Sequence, residues 1–205
     1  GPPAAEILFV PYNFLIDPAT RGGLGVDFED AVLIFDEAHN LESNCAESAS
    51  VDIRAQDIAA MVKEVETCIE SLLQQEAGFA GPDASSRRFT ADDYRSLKGV
   101  LLGIERGIDE IKPGKDGFTR PGSFIFDFLS KDTINITPKT IGLLQDIMKE
   151  ATEVLVELAQ DSGRSTGTKT SSYKLSNLKD MLRTIFTSYE KITYQHYRLH
   201  VHIET

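Results

Sequence analysis

The sequence has few cysteines and no long apolar run. Its two cysteines, Cys45 and Cys68, cannot supply the four thiolates that a 4Fe–4S cluster requires. Both lie on apolar-leaning helical stretches, where cysteine is more often a small core residue than a metal ligand, and we expect no disulfide between them. No apolar stretch approaches the roughly 20 residues of a membrane-spanning helix.

A phosphate-binding loop and a basic balance are also missing. The sequence contains no Gly-x-x-x-x-Gly-Lys-Ser/Thr pattern, so no segment is expected to cradle the β- and γ-phosphates of a nucleotide. Its 32 Asp and Glu outnumber its 21 Lys and Arg, which gives a formal net charge of −11. Because non-specific nucleic-acid affinity is mostly electrostatic, we expect the chain to bind nucleic acid weakly on its own.

The most informative segment that is present runs from Ala31 to Phe35 and then into two adjacent carboxylates. A continuous apolar run predicts a strand buried on both faces, which delivers its acids to the sheet edge where ligands bind. We expect a second strand at Glu6–Val10 and a helix at Ala38–Ser48. An Asp-Glu pair in such a place is often only a solvated strand end or a helix N-cap, but the flanking segments favour a motif.

Asp36-Glu37-Ala38-His39 has the form of a Walker B, or DEAH, box of a nucleoside-triphosphate-driven motor. Asp36 is predicted to hold Mg²⁺ through water, since that ion keeps much of its hydration shell. Glu37 is predicted to orient and deprotonate the water that attacks the γ-phosphate. His39 is predicted to sense this site and couple it to nucleic acid.

The middle of the chain, Asp52 to Glu190, has helical periodicity. Apolar residues three and four apart predict a bundle of four long helices, a more frequent outcome than a coiled-coil docking site. Thr90 with Asp93 predicts a capping box, and Thr137-Pro138 predicts an N-cap with proline at the first helical position. The apolar stripes fall in four segments, Ile58–Leu73, Tyr94–Ile111, Ile141–Leu158 and Leu175–Tyr189.

Three shorter features complete the organisation. Phe124–Leu129 predicts a short helix that plugs the bundle, in preference to a base-stacking platform. Tyr197–Ile203 alternates and predicts a strand that returns to the first segment. His200 and His202 have a spacing compatible with metal binding, but without a third ligand a solvated pair is the simpler interpretation. Loops are expected at 78–89, 112–122 and 161–172.

The segments Phe9–Asp17 and Glu42–Ser50, together with the DEAH box, resemble the iron–sulfur superfamily 2 DNA helicases. That group includes the xeroderma pigmentosum group D and Fanconi anaemia group J types, which remain the alternatives. Thr119–Leu129 and Tyr197–Ile203 resemble most closely the branch that acts at telomeres. The predicted fold class is mostly α with a small β part. A helical bundle, the Arch domain (52–190), is inserted into a partial α/β RecA-like motor lobe (4–51), with a return strand (191–205).

The resemblance implies ATP-dependent 5′→3′ DNA unwinding in the nucleus, in telomere maintenance, repair and recombination. It implies ATP and Mg²⁺, and a 4Fe–4S cluster whose ligands lie outside this chain. Single-stranded and junction DNA are the implied substrates, and no membrane is implied. Without a phosphate loop and second motor lobe, we expect this chain alone to be inactive.

Two roles for the Arch domain follow from the resemblance. It guides single-stranded DNA, or it docks a regulatory protein, for which the acidic surface favours a basic partner. Each basic loop residue is more often a solvated surface charge than a DNA contact. The candidates for DNA contact are Arg87, Arg88, Lys112, Lys115, Arg120, Lys169 and Lys174.

Overall fold

The computed structural model describes residues 7–16, 18–77, 87–162 and 169–203. Within them the chain is mostly helical with one small sheet, so the predicted fold class is confirmed. It divides into two compact units, Gly1–Asp52 and Ile53–Thr205. The helices are α1 (Asn13–Ile16), α2 (Pro18–Arg21), α3 (Leu41–Ser48), α4 (Ala55–Glu76), α5 (Ala91–Glu110), α6 (Ser123–Leu129), α7 (Ile141–Asp161) and α8 (Lys174–Glu190).

Four long helices, α4, α5, α7 and α8, form the bundle of the second unit, as their apolar stripes predict. Each presents one apolar face to the others, and the buried side chains form a single cluster. The largest fully buried side chains are Tyr94, Ile58, Met61, Leu97, Leu101, Ile134, Ile136, Met148, Leu175 and Leu182. None of the described helices combines the length and apolar character that a membrane span needs.

Carboxylates cap two of these helices at their N-terminal ends. The predicted capping box of α5 is present: the Asp93 N–H donates to Thr90 Oγ1 at 3.3 Å, and the Thr90 N–H donates to Asp93 Oδ2 at 2.8 Å. On α4, the Glu64 carboxylate accepts the N–H groups of Lys174 and Leu175, each at 2.9 Å. One helix therefore supplies the cap of another, which fixes α8 against α4.

The start of α7 differs from the prediction. The helix begins at Ile141 with Thr140 as its N-cap, and Pro138 lies in the preceding turn. Thr140 Oγ1 accepts the Thr137 N–H at 2.9 Å and donates to the Asn135 carbonyl at 2.7 Å. These local hydrogen bonds stabilise a turn at the place where a proline would otherwise begin the helix.

The small sheet is a two-stranded antiparallel β-ribbon of β1 (Phe118–Pro121) and β2 (Arg198–Val201). The predicted strand near the end of the chain is therefore present, but its partner is a strand of the same unit and not the first segment. In the register Thr119 lies opposite His200, and Thr119 Oγ1 and His200 Nδ1 are 2.8 Å apart. α6 follows β1 directly and buries Phe128 and Leu129, so the predicted plug is confirmed.

The first unit contains helices but no strand among its described residues. Both predicted strands were wrong: residues 7–10 and 31–35 have no strand structure, and Glu6 lies outside the described residues. Ile34 is 91% and Phe9 93% exposed. A central strand needs neighbours on both sides to accept and donate its backbone hydrogen bonds, and no neighbouring strand is present in the described part of this unit. The predicted helix at 38–48 is present, with a 3₁₀ turn (Ala38–Asn40) before α3.

The predicted loops are described only in part. The loop predicted at 112–122 is present only at 112–117; residues 118–121 form β1, so the prediction was wrong there. The other two predicted loops, 78–89 and 161–172, lie partly outside the described residues, at 78–86 and 163–168.

Candidate functional site

The two acids of the DEAH box lie in a turn between residues 31–35, which have no regular secondary structure, and the 3₁₀ turn. Asp36 Oδ1 accepts the Glu37 N–H at 2.9 Å, and the Glu37 carbonyl accepts the Asn40 N–H at 3.0 Å. Glu37 has a left-handed backbone (φ 49°, ψ 44°), a conformation that a non-glycine residue rarely adopts. The turn therefore places two successive carboxylates at the surface, next to each other.

The side chains of this turn are exposed and interact with one another. His39 Nδ1 lies 3.2 Å from Glu37 Oε2, and both side chains are 69% exposed. Asp36 is exposed as well and makes no ion pair among the described residues. This contact brings the predicted sensor residue to the predicted general base.

The donor set at this turn suits a water-mediated Mg²⁺ and not a direct protein cage. Within the described ranges no cluster of three or more His, Cys, Asp or Glu could hold a metal. One exposed carboxylate, Asp36, is what a Mg²⁺ ion that keeps its waters requires from the protein. Among the described residues, His200 and His202 have no third metal ligand beside them.

The cysteines do not fit an iron–sulfur cluster. Cys68 is buried in α4, its Sγ lies 3.5 Å from the Ala151 carbonyl oxygen, and burial raises the pKa of its thiol to about 12. Cys68 is thus the small core residue that the sequence predicts. Cys45 is exposed on α3, so the prediction that it is a core residue was wrong. Both thiols are free.

Two of the predicted DNA-contact arginines are bound to acids of α7. Only 6% of the Arg87 side chain is exposed, and its Nη2 lies 3.3 Å from Glu157 Oε2. Arg88 is 67% exposed, and its Nη1 lies 2.9 Å from Asp146 Oδ2. Arg87 is therefore inaccessible to a nucleic-acid strand, whereas Arg88 is a paired surface charge.

The remaining predicted contacts lie at the surface. Lys112, Lys115 and Lys169 are exposed and form no ion pair among the described residues. The Arg120 guanidinium lies over the Phe118 ring, 4.8 Å from its centroid. Lys174 is half-exposed, and its Nζ lies 2.7 Å from Asp57 Oδ1. The hydrogen bond that Lys174 donates lowers the pKa of the Asp57 carboxyl.

Sequence reasoning missed an aromatic cluster beside the β-ribbon. The Phe126 ring lies 4.9 Å from that of Tyr189 and 5.3 Å from that of Tyr194. The two tyrosine rings are nearly parallel, at 22° and 5.9 Å between centroids. Phe126 on α6 is separated from the two tyrosines by α7 and most of α8, so local spacing carries no signal of their contact.

The chain resembles known helicases along its length. Residues 60–205 match the family model described as RTEL1 helicase, ARCH domain. The chain belongs to the family of the RTEL1 helicase ARCH domain. Residues 2–58, which contain the turn with Asp36 and Glu37, match the DEAD_2 family.

Curated proteins similar to the chain are named regulator of telomere elongation helicase 1 or its homolog. The chain is 36% identical over 202 residues to the regulator of telomere elongation helicase 1 homolog of Oryza sativa subsp. japonica, covering 97% of this chain and 19% of that protein. It is 34% identical over 221 residues to the regulator of telomere elongation helicase 1 of Mus musculus, covering 98% of this chain and 18% of that protein.

These names confirm the branch that segments 119–129 and 197–203 predict. The chain with its ARCH domain spans about a fifth of the length of these relatives. No solved structure matches it.

Proposed function

We propose that this chain supplies the Walker B acids and the ARCH domain of an ATP-dependent DNA helicase that unwinds in the 5′→3′ direction. One observation carries the proposal: the DEAD_2 match and the ARCH match follow each other along the chain, and the acids lie in the first of them. The same proposal places the helicase in the nucleus, where it acts in telomere maintenance, repair and recombination. Its proposed substrates are displacement loops and junctions.

The residues of the turn have separate roles in this proposal. Asp36 holds the hydrated Mg²⁺ that accompanies ATP, and Glu37 accepts a proton from the attacking water. His39 contacts Glu37 and orients its carboxylate. When bound, Mg²⁺ supplies charge neutralisation on the phosphates. The phosphate loop and the cluster ligands are supplied by parts of the protein outside this chain.

The first test uses the complete helicase that contains this chain. Glu37→Gln is expected to lower ATP turnover by about a hundredfold or more, since the general base is lost, and to leave nucleotide binding within twofold. Phosphate release and fluorescent-nucleotide titration measure the two quantities. Glu42→Gln, an exposed acid in the first turn of α3, is the matched control and should hydrolyse ATP normally.

Two results would contradict the proposal. One is normal turnover by the Glu37→Gln helicase. The other is Glu37-dependent hydrolysis by the 205-residue chain alone, because the phosphate loop would then be dispensable. Unwinding of duplexes with 5′ tails but not 3′ tails tests the direction.

Protein docking on the ARCH domain is the second candidate, and the net charge of −11 favours it. A basic partner would be attracted to such a surface. Neutralising exposed acids such as Glu153 and Asp109 should abolish partner capture without slowing unwinding. Slower unwinding with partner capture unchanged would assign these acids to the DNA reaction instead.

A further inference from the structure

Positive charge is concentrated at the β-ribbon end of the ARCH domain. Segments 112–127 and 189–203 contain five lysines and arginines against three acids, and three of the four histidines in the chain. The complete chain has the opposite balance, 21 basic against 32 acidic residues. A phosphate chain is therefore attracted to this end and repelled by the rest of the molecule.

The same end presents an aromatic surface. Tyr189 is 43% exposed, although its ring packs against those of Phe126 and Tyr194. Beneath them Phe186 is 8% exposed, with its ring 5.9 Å from that of Phe126. The tyrosines are thus held by a packed support, and a partly exposed, immobilised ring is what an unpaired base stacks on.

Cationic residues lie close along the chain to these tyrosines. Lys191 follows Tyr189 at the end of α8, is exposed, and forms no ion pair among the described residues. Arg198 Nη1 donates to the carbonyls of Gln195 and Tyr197, at 3.2 and 2.9 Å, which holds the guanidinium beside the turn that carries Tyr194. By register, His200 and Arg198 lie on the same face of the ribbon.

A close backbone contact fixes the position of the surface. A Cβ at Gly122 would collide with the Tyr194 carbonyl oxygen, and the Gly122 N–H donates to the Tyr197 carbonyl at 3.1 Å. Glycine thus allows the start of α6, which carries Phe126, to lie directly on the turn that carries Tyr194. The rings of Phe126 and Tyr194 are consequently held in one arrangement before any ligand binds.

We propose that this surface, made of Tyr189, Lys191, Tyr194, Arg198 and His200, binds single-stranded DNA by stacking an unpaired base on the tyrosines while the cations contact the phosphates. The proposal rests on the helicase function proposed above and assigns a place to its DNA contact. Single-stranded DNA fits because stacking needs bases that are not already paired. A duplex offers phosphates but no free base face.

Stacking is tested with the 205-residue chain at low salt, by fluorescence anisotropy with a labelled oligothymidylate and an abasic oligonucleotide of equal length. The unaltered chain should bind oligothymidylate about tenfold more tightly than the abasic strand. Tyr189→Ala should remove this preference, and Tyr189→Phe should keep it, because phenylalanine retains the ring. Equal affinity of the unaltered chain for both strands would overturn the proposal even if Tyr189→Ala failed to fold.

The cationic part has its own readout. Lys191→Ala should lower the slope of log affinity against log salt by about 0.7, the amount expected for one phosphate contact with a single strand. Tyr189→Ala should leave that slope unchanged. Arg95→Ala is the matched control and should change neither affinity nor slope. Arg95 is exposed near the N-terminal end of α5, roughly 20 Å along the helix axis from the C-terminal end at Glu110.

The outcomes separate this proposal from the proposed function. If Tyr189→Ala and Lys191→Ala bind oligothymidylate as the unaltered chain does, the surface is not the binding site. Tighter binding to duplex than to single strand has the same consequence. The helicase function stands in either case as long as Glu37→Gln abolishes ATP turnover in the complete enzyme.

Discussion

Gly103 lies where α5 meets the backbone of the segment between α6 and α7. A Cβ at this position would collide with the Thr133 carbonyl oxygen, which is backbone and cannot rotate away. A Cβ added at Gly99, one turn earlier in α5, would have no atom within 4 Å. The two glycines are indistinguishable in sequence, and only the tertiary contact separates them.

Substituting alanine at each of these positions should therefore have opposite effects. Gly103→Ala is expected to lower the free energy of unfolding by about 1–3 kcal/mol through overpacking. Gly99→Ala should raise it by roughly 0.5–1 kcal/mol, because an exposed helical glycine costs backbone entropy. Urea unfolding of the two variants measures both. A Gly103→Ala chain as stable as Gly99→Ala would mean that the Thr133 segment does not pack here.

Arg87 shows which site residues sequence reasoning cannot place. It stands in a polar, glycine-containing stretch that favours a solvated loop, yet its guanidinium is buried and pairs with Glu157. The prediction rested on local composition, whereas burial depends on α7, which is some seventy residues away in the chain. The DEAH acids were predicted at the end of a buried strand. They lie instead in a turn that Asp36 Oδ1 and the Glu37 N–H make locally, with no strand before it.

Among the elements, the long helices and the short α6 were predictable, since each has its own apolar stripe or start signal. The Thr90 capping box was predictable for the same reason. The Glu64 cap of α8 was not, because its donors lie 110 and 111 residues away. The two strands predicted for the first unit failed in the opposite sense, whereas β2 was predicted correctly. The apolar run at 31–35 is typical of a buried strand, but a strand forms only beside partners.

The Glu64 cap makes stability depend on pH. Burial raises the pKa of this carboxyl above its ordinary value of 4.5, although the two N–H donors act in the opposite direction. A raised pKa means that the folded state holds the proton longer, so ionisation destabilises the fold as the pH rises above 4.5. Asp57 and Asp93 have lowered pKa values, so their contribution is lost as the pH falls through 3.8 and below.

Glu64→Gln cannot ionise, and it should therefore remove the Glu64 part of this dependence. The stability of the unaltered chain minus that of Glu64→Gln is expected to fall between pH 4 and pH 7. Urea midpoints at four pH values measure the difference. Glu70→Gln, an exposed acid on the same helix, is the control and should run parallel to the unaltered chain. A parallel Glu64→Gln profile would show that the carboxyl is not buried in solution.

At the scale of the whole molecule, the two units differ in how much they bury. The second unit contains the whole buried core, whereas no described side chain of the first is buried. Val32, Leu33, Ile34 and Phe35 also donate no backbone hydrogen bond among the described residues. A segment of this kind is apolar in sequence and yet contributes little to folding here.

Hydrogen exchange of the 205-residue chain checks this contrast. The amides of residues 32–35 should exchange at nearly the rate of an unfolded peptide, while those in the middle of α5 and α7 should be protected. In the complete helicase the same four amides should become protected, because the motor lobe would supply strands on either side. Protection of residues 32–35 in the 205-residue chain would show that a strand already forms without those partners.

The β-ribbon joins two points, Thr119 and His200, that are 81 residues apart. The ribbon closes a loop of the chain that contains α6, α7 and α8. Tension applied at Ile203 therefore acts on the ribbon hydrogen bonds before it reaches α8. When this chain is pulled at Ile203, we therefore expect the ribbon to open before any of these helices unfolds.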